Sequence, residues 1–124
     1  MIKRYSELRT RSARAQQVYA ILIGLAYNRQ TVTYGGLGDM VGFDGGGVFA
    51  GILGEVMYWC ASNELPALTV LVVNAASGLP GEGLTTPEDL HAEREAVFNY
   101  DWFDLVQPTV EELAAAAEWG ARQP

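Results

Sequence analysis

The segment LPALTVLVVNAASGLPGEG, Leu65 to Gly83, holds the most strand-like run in the chain. Leu68 through Val73 are rich in β-branched residues and place apolar side chains at both parities, the pattern of a strand covered on both faces. Pro66 stands at the entrance, where a missing N–H is tolerated, and Asn74-Ala75-Ala76-Ser77-Gly78 supplies turn chemistry at the exit. Leu79 to Gly83 is too rich in Gly and Pro for a regular strand and reads as an irregular return arm or edge, completing a hairpin-like unit. Asn74, Ser77 and Glu82 form a polar cluster around the turn of this otherwise apolar unit.

Helical patterns flank this unit. Ala15, Val18, Leu22 and Leu25 recur at three- and four-residue steps, which predicts an amphipathic helix from Ser12, its N-cap, to Asn28, its terminator. Thr31 to Tyr34 is a short extended piece, and Thr33 is placed to cap a brief helix over Tyr34 to Val41 with Leu37, Met40 and Val41 facing inward. After the loop Gly42 to Gly47, a second, largely buried helix runs from about Gly46 to Cys60, because Val48, Phe49, Ile52, Leu53, Val56, Met57, Trp59 and Cys60 make most of its circumference apolar. Beyond the strand unit, Thr86 as N-cap, Pro87 at N1 and the acids Glu88 and Asp89 announce a helix whose stripe Leu90, Val97 and Phe98 extends to about Phe103. Pro108 breaks the chain. Thr109 to Glu112 is a capping box opening a last helix through Trp119, closed by Gly120.

At 124 residues the length fits one domain, residues 1–124, able to bury roughly two thirds of the surface its unfolded form exposes. No apolar run approaches the roughly 20 residues of a membrane span, and no apolar segment follows the basic residues near Met1, so neither membrane insertion nor a secretory signal is expected. A lone cysteine, Cys60, permits no internal disulfide and fits a reducing compartment, which makes the expected location cytoplasmic. The net charge of −7 is unevenly spread. Residues 1–30 carry six cations against Glu7 alone, a net +5, whereas residues 31–124 carry two cations against fourteen acids, a net −12. Such a body repels phosphate backbones, and its charge serves either solubility alone or the attraction of basic partner surfaces.

The inventory for catalysis is thin. His91, the single histidine, lies beside Glu88 and Glu95 on an acidic helix face, where one imidazole makes neither a metal site nor a triad. Cys60 has no basic neighbour in sequence to lower its pKa and reads as a buried thiol. The loop Gly42 to Gly47 lacks the lysine and hydroxyl of a phosphate-binding loop. Asp101 and Asp104, three apart, would place two carboxylates on one helix face, the minimum for an acid/base pair. No catalytic residue, metal ligand or cofactor motif is assigned. The aromatic run Phe98 to Phe103 serves either core or contact surface.

The order helix, Thr33-Tyr34-Gly35, second helix, Pro66, then Val72-Val73-Asn74 with a turn at Gly78 resembles the winged-helix DNA-binding domain of alkylguanine alkyltransferases and alkyltransferase-like proteins over about residues 18–81. The resemblance implies a winged-helix-like order in which Thr33-Tyr34-Gly35 opens the first helix of the helix-turn-helix and the next helix reads DNA. Where that family keeps its reactive cysteine and histidine, this chain has Ala67, Leu68 and Thr69, so alkyl transfer is excluded. The corresponding reading helix contains no Lys or Arg, which removes the usual source of phosphate and base contacts.

The sequence thus predicts an α+β fold of about five helices around a short β-hairpin or small sheet, in a winged-helix-like order. Its functional expectation is a non-enzymatic protein-binding module (adaptor, inhibitor or immunity-type protein) that presents an acidic surface to a basic partner and imitates nucleic-acid charge. The candidate contact residues are Glu88, Asp89, Glu93, Glu95, Tyr100, Asp101, Trp102 and Asp104. The alternative is a DNA-associated regulator that binds through Arg9, Arg11, Arg14 and Arg29.

Overall fold

The computed structural model describes residues 1–43, 47–80 and 89–124. The fold is α+β, with five α-helices and a two-stranded parallel sheet among the described residues. The helices are α1 (Arg11–Tyr27), α2 (Tyr34–Val41), α3 (Gly47–Ser62), α4 (Leu90–Asn99) and α5 (Val110–Ala121). The strands are β1 (Val32–Thr33) and β2 (Val72–Val73), paired Val32 with Val72 and Thr33 with Val73. The helix α3 packs most extensively on α5 and α1, and one buried cluster draws side chains from all five helices and from the segment before β2.

The Leu65–Gly83 unit keeps its central position but changes form. Only Val72 and Val73 are strand, whereas Leu68–Leu71 wind into a 3₁₀ turn in which all four residues are buried. A fully buried turn and a fully buried strand both carry apolar residues on every side, here Leu68, Val70 and Leu71 around a buried Thr69, so parity does not distinguish them. The return arm is a tight loop: Asn74 N–H donates to the Leu79 carbonyl at 2.7 Å, Gly78 N–H to the Asn74 carbonyl at 2.8 Å, and Val73 bridges antiparallel to Pro80. Gly78 sits at φ 69°, a conformation that excludes most side chains and fixes glycine at this corner.

The caps follow local chemistry closely. Thr33 Oγ1 accepts from Gly36 N–H at 2.9 Å at the start of α2. Both halves of the Thr109 box form at α5, with Thr109 Oγ1 accepting from Glu112 N–H at 3.0 Å and Glu112 Oε1 from Thr109 N–H at 2.9 Å. Other boundaries differ from the sequence reading. Thr10, not Ser12, caps α1 by accepting from Ala13 N–H, and Ser12 is buried within the first turn. Ala15, Val18 and Leu22 lie in the core as expected, joined by Tyr19, Ile23 and Ala26. Met40 and Val48 face solvent rather than the core, because α2 and α3 are each covered on one side only near their ends. The helix α4 stops at Asn99, and Trp102–Asp104 form a separate 3₁₀ turn. Gly120 lies inside α5, where the Tyr58 ring occupies the place of a Cβ, so its role is close packing and not termination. The expected start of α4 at Thr86, Pro87 and Glu88 lies outside the described residues.

Candidate functional site

The expected contact set divides sharply. Trp102 is core: it is 2% exposed, its indole N–H donates to the Val97 carbonyl at 2.8 Å, and its ring packs against Tyr19 and Tyr100. The aromatic that reaches solvent is its neighbour Phe103, at 60% exposure. Phe103 meets Tyr27, at 72% exposure, edge to face with ring centroids 5.3 Å apart. Val106, three residues further along the chain, is 89% exposed. Asp101 and Asp104 bracket the 3₁₀ turn and are both exposed, so this aromatic edge has an acidic rim. They lie on no common α-helix face, since α4 has ended, and neither lines the cavities described below; the acid/base arrangement is therefore replaced by a charged border.

On α4 the acids are less free than their number implies. Glu95 Oε2 pairs with Arg29 Nη2 at 2.5 Å, and Arg29 also lies over the Phe98 ring. Glu93 is half-buried, and burial, followed by the neighbouring Asp89, raises its pKa above the ordinary carboxylate value. Asp89 and His91 are exposed, and Glu88 lies outside the described residues.

The arginines at the head of α1 also separate. Arg14 donates through Nε to Gln17 Oε1 at 2.9 Å and through Nη2 to the Val41 carbonyl at the end of α2, with its guanidinium 4.6 Å from the Phe43 ring centroid. A cation there answers the negative end of α2. Arg9 and Arg11 are exposed and line a cleft of about 430 Å³ with Leu8, Phe43 and Val48. The turn cluster is turn chemistry: Asn74 Oδ1 accepts from Ala76 N–H at 2.9 Å and Ser77 Oγ from Leu79 N–H at 3.2 Å. Arg94 ties this turn to α4 by donating to the Gly78 carbonyl at 2.9 Å. Glu82 lies outside the described residues.

Sequence reasoning passed over Glu55. It is the single charged residue of α3, 5% exposed, and its Oε1 has no hydrogen-bond partner among the described residues. A buried polar atom left unpaired costs about 1–3 kcal/mol, more when charged. Glu55 lines a cavity of about 560 Å³ bounded by α3, the first residue of α1 and the last turn of α5. The signal was present, since an isolated carboxylate on an otherwise apolar buried helix has to be answered by a donor or sit beside a space that admits one. Cys60, by contrast, is a closed site: it is buried, and burial pushes its thiol up to about 11 despite a counteracting backbone contact from Leu68.

Among the described residues no three His, Cys, Asp or Glu side chains converge as a metal site, and no helix is long and apolar enough to cross a membrane. No protein family, curated sequence or solved structure matches this chain.

Proposed function

We propose that the chain is a non-enzymatic protein-binding module whose contact surface is the edge formed by Tyr27, Phe103 and Val106 with its rim of Asp101 and Asp104. The observation that supports it is the Tyr27–Phe103 pair, two aromatic rings packed on each other yet both mostly in solvent. Exposed aromatics at the centre of a patch with charge at its border have the anatomy of a binding hot spot. The acidic rim and the net charge of the body favour a protein partner with a basic surface, in the manner of an adaptor, inhibitor or immunity-type protein that imitates nucleic-acid charge.

The test is binding to the partner captured from the native host, remeasured with purified components. Phe103→Ala is expected to weaken binding at least about thirtyfold, a hot-spot loss of about 2 kcal/mol. Asp101→Lys with Asp104→Lys is expected to slow association and flatten its salt dependence. Both substitutions sit at exposed positions, so the fold is retained. A captured partner that binds both variants as tightly as the parent would remove this surface from consideration.

The basic cleft at Arg9 and Arg11 favours a second reading, a DNA-associated regulator of winged-helix-like order. Two exposed arginines there, with no ion pair among the described residues, would give log K against log salt a slope of about −2 on duplex DNA. Arg14 and Arg29, engaged within the chain, add little to it. Absence of binding to random duplex at low salt would end this reading.

A further inference from the structure

We infer that the cavity between α1, α3 and α5 is a binding site for a small amino-carboxylate, a molecule whose ammonium is received by Glu55 and whose carboxylate is received by Arg11. Glu55 supplies the first half: its side chain is nineteen-twentieths buried, lines the cavity, and leaves Oε1 without a donor among the described residues. The end of α5 adds to it. Ala117 and Ala121 of the last turn border the same cavity, and the C-terminal turn of a helix carries partial negative charge, so two features favour a cation at one place.

Arg11 supplies the second half. It is the first residue of α1, and its guanidinium lies against α3 at Gly51, where an added Cβ would stand 2.9 Å from both Cζ and Nε. The absence of a side chain at Gly51 is therefore what lets the guanidinium rest at the cavity's edge. Arg11 makes no ion pair with Glu55. Gly51, against which the Arg11 guanidinium lies, and Glu55 are one helical turn apart on the same face of α3, so both groups belong to one stretch of the cavity lining. Opposite charges that line one cavity without pairing to each other suit a ligand carrying both complements. Tyr34, Leu53, Met57 and Tyr58 also line the cavity, and Gly54 opens onto free space, which leaves room for an apolar side chain. The cavity volume is in the range of small-molecule sites. This site is separate from the proposed protein-binding edge, since Arg11 and Tyr27 lie at opposite ends of α1, about 24 Å apart.

The experiment is ligand-observed NMR with thermal shift on the full chain, using the standard L-α-amino acids as probes and butylamine and butyrate as half-ligands. At least one amino acid with an apolar side chain is expected to bind, with each half-ligand at least about tenfold weaker, the loss of one charge-assisted pair. Glu55→Gln and Arg11→Ala are each expected to weaken the amino acid at least about tenfold. Gly51→Ala, which displaces the guanidinium, is expected to reproduce the Arg11→Ala loss while leaving butylamine binding unchanged. Arg11 is exposed, so Arg11→Ala tests the proposal even where Glu55→Gln alters folding. Failure of every amino acid to bind overturns the proposal. So does binding that survives Arg11→Ala, or butylamine binding as tightly as the best amino acid.

Discussion

Replacing Tyr19 by Phe is expected to stabilise the protein. Tyr19 is wholly buried on α1, its ring set edge to face with Trp59 at 5.3 Å and with Trp102 at 6.5 Å, while its hydroxyl has no hydrogen-bond partner among the described residues. Phe keeps both ring contacts and removes the orphan oxygen. An unsatisfied buried hydroxyl costs about 1–3 kcal/mol, and deleting it returns part of that, so a gain of about 1–2 kcal/mol is expected, or about 4–8 °C in Tm for a chain of this size. The gain should grow in alkali. Burial first, then the neighbouring Cys60 and Tyr100, pushes the Tyr19 pKa up to about 12 from 10.0. The folded state then holds its phenolic proton more tightly than the unfolded state, so this group's stabilisation is complete below about pH 10 and is lost as pH rises toward 12. Near pH 11 the Phe variant, which has no such loss, should lead by roughly a further 1.4 kcal/mol. Urea titrations at neutral pH and near pH 11, followed by tryptophan fluorescence, measure both effects. A variant less stable than the parent at neutral pH would mean that the hydroxyl has a partner, and the assignment of Tyr19 as an unsatisfied core residue would be wrong.

Cys60 should react with Ellman's reagent only through opening of the fold, because its thiol is buried and its pKa is pushed up to about 11; a labelling rate that does not slow when a stabilising variant is introduced would contradict this. The same shift makes the thiol a source of stability that is complete below its unfolded pKa and declines as pH rises from about 9 toward 11, adding to the alkaline loss from Tyr19. Glu64 holds a left-handed conformation at φ 57°, so Glu64→Gly should raise stability by about 0.5–1 kcal/mol in chemical denaturation, and a loss would show that the side chain has a role of its own. Gly120→Ala should cost about 1–3 kcal/mol, since the new methyl meets the Tyr58 ring and disturbs its edge-to-face contact with Trp119; a neutral result by thermal melt would mean that α5 shifts freely on α3.

What the sequence made legible is what a few adjacent residues settle among themselves. The Thr33 and Thr109 caps and the buried stripe of α1 depend on spacing and hydrogen-bond chemistry within one or two turns, and the structure has them as expected. Leu68–Leu71 were not legible as a 3₁₀ turn because complete burial removes the periodicity that separates turn from strand. The exchange of Trp102 for Phe103 as the exposed aromatic has a similar origin. Adjacent aromatics alternate in or out according to where α4 ends, and that end, at Asn99, depends on packing against α1. Glu55 was the opposite case, visible in the sequence as the single charge on an apolar helix but meaningful only once Arg11, far away in sequence, is brought to the same cavity.

The structure also redistributes the charge that first suggested a basic partner. Counted along the sequence, Glu93 and Glu95 of α4 and Asp89 just before it add to the acidic second half of the chain. In the fold, Glu95 is answered by Arg29, and Glu93 sits where burial and Asp89 favour its neutral form. A paired or half-buried carboxylate contributes less to long-range steering than an exposed one, whose field reaches out to a Debye length of about 8 Å. Asp101 and Asp104 are exposed and have no ion pair among the described residues, and they flank the Tyr27–Phe103 pair, two large aromatic rings that stand in solvent. Attraction and apolar contact therefore coincide on the Phe103 turn and not on α4. The same helix that presents Tyr27 to that turn carries Arg11 at its other end, so α1 serves as the scaffold of both the proposed surface and the proposed cavity, its buried stripe holding the two a fixed distance apart.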